Sequence, residues 1–397
     1  MVTSPPTSSI PSEATDRLTD SSRTSHWDRW RRSLVTSAFR RTLRDAGGRL
    51  CEPGGLPVYG VHRVLVCRPN HRLGNALLLS PLIQEVEALY PGAEIDIVGS
   101  DAAVSLFADR FHVRRVFALP RRVARHVLFS AKILRNVRSG RYDLAIDACN
   151  GSQSGQLILA LTRAKYKLGF PDEATSPASR WHSLAWPKHL AHRSVFLLRT
   201  AYAGRTDDRY PNLGIGLSAR EKEEAAKVLR TLCRKSSFTP VLGIFTNATG
   251  AKRYSEAWWI QFLHVFQEQC PDVQVVDLVA AHGCSHLGER FVPFYTRNLR
   301  RMAAMIAGMD GFISADCGVM HLASASGAPT LGLFSSTDPA KYAPYGGMND
   351  ALDTRGMDAT GAALASARWF NRARMARRST QHHAPSKTGP KAGRSAT

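Results

Sequence analysis

The sequence has 397 residues, of which 44% are hydrophobic and 8% aromatic. This length is too great for one ordinary domain and suits two, and the apolar content excludes a chain that is disordered throughout. Lysine and arginine outnumber aspartate and glutamate by 53 to 32, a formal net charge of +21. Such a surplus predicts an anionic partner: nucleic acid, acidic lipid or a phosphorylated substrate.

The cysteines and the N-terminus bear on the compartment. The seven cysteines are scattered and form no CxxC pair, which favours a reducing compartment over a disulfide framework. No apolar run reaches the roughly 18 residues of a transmembrane helix. The first 25 residues lack the basic-then-apolar order of a signal peptide. We therefore expect a cytoplasmic protein.

The N-terminal segment, residues 1–57, is predicted to be a leader outside the folded domains. Residues 1–25 are expected to be disordered, and residues 26–45 hold six arginines and a loose apolar stripe that Arg31 and Arg41 interrupt. Two interpretations of this stripe stay open: a helix on an anionic membrane surface, or a basic extension packed on the domain by its tryptophans.

Two series of alternating strand and helix patterns follow. The first comprises a strand over 61–67, a helix over 76–90, strands over 93–100 and 113–119, a basic helix over 123–138, a strand over 142–149, a helix over 153–163 and a strand over 167–170. The second comprises strands over 240–245, 273–278, 290–295, 311–316 and 330–334, with helices over 255–269 and 299–308 and after 316. Alternation at this spacing predicts α/β domains with parallel sheets and right-handed crossovers.

The domain boundaries follow from these two series. We predict a first Rossmann-like domain over 58–212, a second over 213–350, and a C-terminal helix with a basic disordered tail over 351–397. A stretch over 171–238 is predicted to be rich in loops, and the last 30 residues, with eight Lys/Arg and no acid, are predicted to be disordered. Two doubly wound domains that face each other direct their ligand loops into one cleft.

Four loops lie where such a fold places ligands. In the first, 68–81, Gly74 permits a tight turn before a helix N-terminus that can bind an anion. In the second, 245–259, Thr246 and Asn247 supply hydrogen-bond donors and Lys252 supplies charge, with Ser255 as the predicted N-cap. A solvated loop lysine is the alternative for Lys252.

The third and fourth loops lie near the end of the second series. In 314–334 a strand ends in Asp316, Cys317 and Gly318 turn sharply, and a short helix carries His321. A helix start of this kind presents free N–H groups to a phosphate, although a lone histidine is more often a satisfied core residue. The fourth loop, 335–346, is placed where it can close over a ligand.

The motifs together resemble glycosyltransferase family 9, the heptosyltransferase family. The segment DCGVMHLASASGAPTLGLFSSTDPAKYAPYG, residues 316–346, is similar to the family's long motif D-S-G-x-M-H-L-A-A-A-x-G-x-P-T-x-x-L-F-G-x-T-D-P-x-x-x-x-P-x-G. Residues 72–98 resemble its first βαβ unit, 142–170 its later strand–helix–strand, and AKRYSEAWW, 251–259, its K-R-W segment. The resemblance extends from about 61 to 346.

This resemblance implies a GT-B fold, two Rossmann-like domains facing across a cleft, with the acceptor on the N-terminal side and a nucleotide-sugar on the C-terminal side. It implies inverting transfer from a donor of the ADP-heptose type, without a metal or another cofactor. In that scheme Lys252 contacts the donor phosphates, Thr246 hydrogen-bonds phosphate, and the turn at Asp316 with the following helix cradles the diphosphate. The expected donor residues are Thr246, Asn247, Lys252, Asp316, Cys317, Gly318, Met320 and His321.

One departure from the family concerns the catalytic base. The family carries an aspartate directly after the glycine of the first loop, whereas this sequence has Asn75 after Gly74. An amide cannot accept the proton of the acceptor hydroxyl and can only position it. Three explanations stay open: a neighbouring base, for which His71 and Asp147 are the candidates; a different activation of the acceptor; or a chain that binds its substrates yet transfers slowly or not at all.

The acceptor side is marked by a run of positive charge. Residues 110–141 contain ten Lys/Arg and no acid. With the first loop they supply the predicted acceptor-binding residues, which are Arg72, Arg121, Arg122 and Arg125. Val123, Val127, Ile133, Leu134 and Val137 are available for burial or for membrane contact. We expect a phosphorylated or otherwise anionic glycolipid in lipopolysaccharide core assembly and a peripheral position on the inner membrane; a solvated charged helix is the alternative.

Two other classes are disfavoured. The loop with His282, Cys284 and His286 lacks standard zinc-ligand spacing, so no metal site is predicted. A nucleic-acid-binding protein would explain the charge, but no helix-turn-helix, RNA-recognition or zinc-finger signature is present, and no nucleic-acid partner is expected.

Overall fold

We describe a computed structural model of the chain. It describes residues 50–121, 126–171, 179–203, 208–233, 239–288 and 290–382. The basic stripe over 26–45 and the predicted acceptor residues Arg122 and Arg125 therefore lie outside the described residues.

The first half contains a five-stranded sheet in which every pairing is parallel. In the spatial order β3-β2-β1-β4-β5, its strands are β1 (Arg63–Cys67), β2 (Glu94–Gly99), β3 (Val113–Ala118), β4 (Tyr142–Asp147) and β5 (Ala164–Leu168). Its helices are α1 (Leu73–Leu77), α2 (Ser80–Leu89), α3 (Asp101–Phe107), α4 (Val127–Ser139), α5 (Gln153–Leu161) and α6 (Leu190–Ala203), with a 3₁₀ turn over Arg180–Ser183. Strands β1 and β2 bury all but their first residue, as parallel strands covered on both faces do.

The second half contains a six-stranded parallel sheet in the order β11-β10-β9-β6-β7-β8. Its strands are β6 (Val241–Phe245), β7 (Gln274–Val279), β8 (Val292–Tyr295), β9 (Gly311–Ala315), β10 (Thr330–Phe334) and β11 (Asp350–Asp353). Its helices are α7 (Ala219–Cys233), α8 (Glu256–Gln269), α9 (Leu299–Ala307), α10 (Gly318–Ser326), α11 (Pro339–Tyr342) and α12 (Ala359–His382), with a 3₁₀ turn over Gly250–Lys252. The predicted N-cap is confirmed, because the Ser255 hydroxyl accepts the N–H of Trp258.

Three predictions about elements were wrong. The helix predicted over 76–90 is two helices, α1 and α2, and Pro81 occupies the first turn of the second. The stretch 171–238, predicted to be rich in loops, contains the two long helices α6 and α7. The last 30 residues are not all disordered, because α12 continues to His382 and buries Trp369 and Phe370.

The halves are joined by packing as well as by the chain. One hydrophobic cluster includes Val64 and Ile95 of the first sheet together with Met305 and Phe312 of the second half. Arg300 on α9 makes two charged hydrogen bonds to Glu221 and donates to the Leu106 and Ile215 carbonyls. These contacts fix α9 of the second half against α3 of the first half.

The N-terminal edge of the described chain also belongs by its contacts to the first half. Leu56 is buried, and its N–H donates to the Ala201 carbonyl on α6. The Trp181 indole N–H donates to the Cys51 carbonyl. Residues 50–57, which the sequence assigned to the leader, thus cover α6.

The strand orders locate the ligand-binding edges. In each sheet the order reverses beside the first strand of the half, between β1 and β4 in one and between β6 and β9 in the other. Open α/β sheets bind ligands in the crevice outside the carboxyl ends of the strands at such a switch point. The two crevices are therefore formed by the segments after β1 and β4 and by those after β6 and β9.

Candidate active site

The second switch point contains a lysine–aspartate pair. Lys252, in the 3₁₀ turn after β6, places Nζ 2.5 Å from Oδ2 of Asp316, which follows β9. The Thr337 hydroxyl donates to the same oxygen at 2.7 Å, and the Lys252 ammonium lies 5.6 Å from the centre of the Tyr342 ring. Because Asp316 is 3% exposed and Lys252 is 29% exposed, the lysine is the partner that an incoming anion can reach.

Thr246 and Asn247 directly follow β6. Thr246 is 1% exposed, and its hydroxyl has no hydrogen-bond partner among the residues that the structure describes. A buried hydroxyl without a partner costs free energy, so the position suits an oxygen acceptor that arrives with a ligand. Asn247 is partly exposed on the same loop.

Helix α10 begins at this switch point. Cys317 holds the N-cap position and Gly318 is the first helical residue. Burial raises the pKa of the Cys317 thiol, so the thiol is neutral at pH 7 although its hydrogen bond with Ser314 opposes the shift. Met320 is fully buried, and its sulfur lies 2.5 Å from where a Cβ on Gly332 of β10 would be, so its side chain packs in the core and does not face a ligand.

His321 lies inside α10 at the contact with the first half. Its side chain is buried, and Nδ1 has no hydrogen-bond partner within the described parts of the chain. Burial lowers the pKa of His321 below its usual range, so the ring is neutral at pH 7. A neutral imidazole offers one donor and one acceptor, so it can bind a polar group of a substrate without adding charge.

Two glycines bring α1 against α10. A Cβ on Gly74 would lie 2.8 Å from Cδ2 of His321, and a Cβ on Gly318 would lie 2.8 Å from Cβ of Leu73. The predicted role of Gly74 in a tight turn was wrong: the residue is helical, and its missing side chain permits the close approach of α1 to α10. The helix that follows the first loop is therefore packed directly against the helix of the second switch point.

The first switch point holds a buried arginine and a buried aspartate. Arg68 follows β1, is buried, and donates from Nη1 to the Ala148 carbonyl at 2.8 Å, while its Nε has no partner among the described residues. Asp147 ends β4, is 2% exposed, and accepts the N–H of Cys149 at 3.0 Å. Burial raises the pKa of the Asp147 carboxyl to about 7, although the Cys149 N–H and the charge of Arg68 oppose the shift.

Helix α5 closes over Asp147. A Cβ on Gly155 would lie 2.3 Å from one carboxylate oxygen of Asp147, so any larger residue at this position would displace the carboxylate. Ser152 caps the helix by accepting the Gly155 N–H. The raised pKa thus follows from two elements, the end of β4 and the first turn of α5, which exclude water from the carboxyl group.

The remaining residues predicted for the first half differ in their surroundings. Asn75 is the third residue of α1 and is partly exposed. His71 is partly exposed before that helix, and no hydrogen bond or ion pair joins it to Asp147 or to the Lys252–Asp316 pair in the described chain. Arg72 and Arg121 are exposed, as solvent-facing contacts for an anion would be.

Some cations of the basic run over 110–141 form ion pairs within the protein. Arg110 pairs with Glu87 and Arg114 with Asp96, so these two cations are neutralised. Of the two uses expected for the apolar residues of the basic helix, burial applies to Ile133 and Val137, which lie in a core cluster on α4. Leu128 and Phe129 are exposed instead, by 88% and 54%.

Sequence reasoning missed several residues of these crevices. Arg68 lies in the first predicted loop, 68–81, but was assigned no role, although a charged residue directly after the buried run VLVC could have marked it. Thr337 and Tyr342 lie in the loop expected to close over a ligand, and both contact the Lys252–Asp316 pair. Nothing in the one-dimensional pattern indicated Gly155.

The described residues hold neither a cluster of metal ligands nor a helix fit to cross a membrane. No group of three or more His, Cys, Asp or Glu side chains in these parts of the chain is arranged to hold a metal ion. No helix within the described ranges has the length and hydropathy that crossing a bilayer requires.

Solved structures of similar proteins identify the fold. The ADP-heptose LPS heptosyltransferase II of E. coli superimposes with a TM-score of 0.60 over 80% of this chain and 99% of its own, at 18% identity. E. coli heptosyltransferase WaaC with ADP gives a TM-score of 0.59 over 78% and 99%, at 21% identity. The expected GT-B fold, with two Rossmann-like domains, is confirmed.

Sequence comparison identifies the family. Lipopolysaccharide heptosyltransferase 1 of Pseudomonas aeruginosa is 25% identical over 299 residues, which cover 72% of this chain and 81% of that protein. Its counterpart of the same name in Salmonella typhimurium is 24% identical over 304 residues, 72% of this chain and 92% of that protein. The sequence profile of glycosyltransferase family 9 (heptosyltransferase) matches residues 130–355, more than half of the chain. The chain belongs to glycosyltransferase family 9, the heptosyltransferase family.

Proposed function

We propose that this chain transfers a heptose-like sugar from an ADP-linked donor to an anionic glycolipid of the lipopolysaccharide core, with inversion and without a metal or another cofactor. The names of its relatives support the acceptor class, since both sequence relatives are lipopolysaccharide heptosyltransferases. The names of similar structures support the donor, since they include complexes with ADP and with an ADP-heptose analogue.

The observation that carries the proposal is the charge arrangement at the second switch point. Lys252 is the cation that faces the crevice there, and the buried hydroxyl of Thr246 lies on the same loop without a partner in the described residues. Helix α10 starts beside Asp316 and adds the positive end of its dipole. A diphosphate matches all three features, because it offers several anionic oxygens over a short distance.

The leaving group explains what these residues do. When the bond between the sugar and the diphosphate breaks, negative charge develops on the departing oxygen. In the proposed reaction Lys252 and the α10 N–H groups stabilise that charge. Asp316 and Thr337 hold Lys252 in position until the donor binds, and the fixed geometry avoids a reorganisation cost during the reaction.

The acceptor hydroxyl needs a base, and Asp147 fits that role best. A pKa of about 7 matches a general base that works near neutral pH. Asn75 cannot take the proton and would position the hydroxyl instead. His71 is the alternative base, and a chain that binds donor without turnover is the alternative if neither residue matters.

We expect calorimetry to detect binding of ADP but not of UDP or GDP. The Lys252→Ala variant should weaken ADP binding several-fold, because one charge-assisted contact to the phosphates is lost. A comparison with Lys222→Ala, an exposed lysine on α7, controls for the change in net charge. Equal binding of the three nucleotides, or an unchanged affinity for ADP in Lys252→Ala, would contradict the donor site proposed here.

We further propose that the start of α4 contacts the anionic inner membrane. Leu128 and Phe129 are exposed there, next to the exposed Lys132 and Arg135. Because α4 follows β3, its first turn lies at the carboxyl edge of the first sheet, where β1 and β4 form their crevice. A membrane contact at this edge would bring a glycolipid acceptor to the site.

We expect Phe129→Ser to lower binding to vesicles that contain anionic lipid, since the protein loses the aromatic ring that is proposed to insert between the lipid headgroups. Phe111→Ser is the matched control, because Phe111 is 96% exposed but precedes β3 at the opposite edge of the sheet. Co-sedimentation with phosphatidylcholine vesicles, with and without phosphatidylglycerol, measures the effect. Equal losses in both variants, or equal binding to neutral vesicles, would count against this contact.

A further inference from the structure

Arg68 lies buried at the first switch point without a compensating charge. It directly follows β1 and is 8% exposed. Nη1 donates to the Ala148 carbonyl at 2.8 Å, and Nε has no hydrogen-bond partner in the described chain. None of the ion pairs between described residues includes Arg68. Because a guanidinium in a protein stays protonated and a buried unpaired charge is costly, this position favours a negative charge that forms beside it.

The contact with Ala148 joins Arg68 to the turn that holds Asp147. Strands β1 and β4 pair in parallel with Cys67 opposite Asp147, and the Ala148 N–H donates to the Cys67 carbonyl at 2.9 Å. The guanidinium therefore adds a second link between the carboxyl ends of the two strands. The turn held by this link is the one in which the Cys149 N–H donates to Oδ1 of Asp147.

Arg68 is the cation among the titratable groups that face Asp147 in the described residues. The others are the Cys67 and Cys149 thiols. Burial raises the pKa of both thiols, that of Cys149 to about 11, so both are neutral at pH 7. Helix α5 and the segment after β5 approach Asp147 through glycines, which do not titrate. Burial raises the pKa of the Asp147 carboxyl to about 7, and the charge of Arg68 limits this shift.

The second half does not neutralise Arg68. His321 on α10 is the group of that half whose pKa the charge of Arg68 affects among the described residues. Burial lowers the pKa of His321, so its ring is neutral at pH 7 and neither offsets the guanidinium nor adds to its charge. The group beside Arg68 that becomes negative near neutral pH is therefore Asp147.

We propose that Arg68 is the positioning residue for the base: it holds the turn after β4 in place and supplies the positive charge that keeps Asp147 ionised. The proposal rests on the proposed function and deepens it. In that reaction the acceptor hydroxyl gives its proton to the Asp147 carboxylate, its oxygen forms the new bond to the sugar, and the diphosphate leaves with the electrons of the broken bond. Arg68 touches none of the reacting atoms and sets the pH above which the base is available.

Arg68→Gln removes the charge but keeps an N–H donor for the Ala148 carbonyl. It should raise the pKa of Asp147 by about one unit, because the nearby positive charge is lost. Carbon-13 NMR of the full chain, labelled at its aspartate carboxyls, measures this pKa, and Asp147→Asn identifies the signal. Arg68→Lys keeps the charge and should titrate close to the wild type. Arg220→Gln, at an exposed residue on α7, is the matched control and should leave the midpoint unchanged.

The transferase assay gives a readout that a merely structural role would not move. In Arg68→Gln the acid limb of kcat/KM should shift upward with the pKa of Asp147, a loss of about fivefold at pH 7 that nearly disappears at pH 9. A structural defect would lower the rate at every pH. If Arg68→Gln does not fold, Arg68→Met removes the same charge and gives the same test.

The NMR titration needs no activity, so it separates this proposal from the proposed function. An unchanged Asp147 midpoint in Arg68→Gln, an equal shift in Arg220→Gln, or a shift in Arg68→Lys as large as that in Arg68→Gln would overturn the role of Arg68. A shifted midpoint with an unshifted kinetic limb would support the effect of Arg68 on Asp147 and refute Asp147 as the base.

Discussion

We expect Asp147→Asn to lower the turnover number by at least about 100-fold, the smallest effect typical of losing a general base. The substitution keeps the shape of the side chain and can still accept the Cys149 N–H through its carbonyl oxygen. It removes the one property that base catalysis needs, an oxygen that accepts a proton near pH 7. Affinity for ADP should be unchanged, because the donor phosphates are expected at the other switch point.

The pH profile gives this prediction a second readout. A base acts only when it is deprotonated, so kcat/KM of the wild type should rise with pH up to about 7, the pKa of Asp147, and level off above it. The residual activity of Asp147→Asn should lack this limb. Asp272→Asn, at an exposed aspartate in the turn before β7, should keep both the rate and the profile.

The free energy of unfolding should change with pH in the direction opposite to activity. Measuring it therefore distinguishes a loss of catalysis from a loss of folding. The pKa of Asp147 is higher in the folded protein, about 7, than its reference value of 3.8. The folded state therefore binds this proton more tightly, and the contribution of Asp147 to the free energy of unfolding falls as pH rises through that interval. Asparagine has no charge to bury, so at about pH 8 Asp147→Asn should be no less stable than wild type in thermal unfolding.

An Asp147→Asn enzyme that retains more than a tenth of the wild-type rate would contradict the assignment, and His71→Gln would then be the next variant to measure. Asn75→Asp adds a carboxylate where the family carries one. If Asp147 has taken over the role of base, Asn75→Asp in the Asp147→Asn background should restore part of the activity. No recovery in that double variant would mean that a carboxylate at position 75 cannot take the place of Asp147 in this chain.

Of the eleven strands in the described residues, all but β11 were predictable from sequence, whereas several helices were not, for a common physical reason. Strands such as β6 and β9 are buried at every position and therefore read as almost continuous apolar runs, with Ser314 the one polar residue in β9. Helix α7 buries only Ala225, Leu229 and Cys233 among many charges, so its apolar signal is sparse. Helix α12 packs through alanines and two aromatic residues, and its arginines suggested a disordered tail.

The candidate site, too, was predictable from sequence only in part. Lys252 and Asp316 were both identified from their loops, but 64 residues separate them in sequence, and only the pairing of β6 with β9 brings their side chains together. The perturbed Asp147 depends on Gly155, a residue without a side chain whose importance appears only once α5 is seated on β4. The motifs therefore identified the candidate residues at the strand ends. The burial of Asp147 and the neutralisation of Asp316 by Lys252 depend on tertiary packing and could not be predicted from them.

We expect Lys252→Met to lower the turnover number by roughly 100- to 1,000-fold, the range found when one group that stabilises developing charge is removed. Methionine fills a similar volume but cannot neutralise the departing diphosphate. The turnover number of Lys252→Arg should lie between those of the wild type and Lys252→Met. Arginine keeps the charge, but it presents a planar fork where the site is built around a compact ammonium. Lys222→Met controls for the loss of one positive charge at an exposed position.

A second effect of Lys252→Met must be separated from the first. Asp316 is 3% exposed, and without the lysine its carboxylate would keep only the Thr337 hydroxyl as a side-chain donor in the described structure. Leaving a buried charge without its partner typically costs about 3–5 kcal/mol, so the single variant should also unfold at a lower temperature.

The double variant Lys252→Met with Asp316→Asn removes both charges and distinguishes these effects. It should recover most of the lost stability, because no unpaired charge stays buried, yet it should not recover turnover, because the leaving diphosphate still lacks its cation. Recovery of activity along with stability would show that Lys252 serves to hold Asp316 rather than to stabilise the leaving group, and the proposed chemistry of this switch point would be wrong.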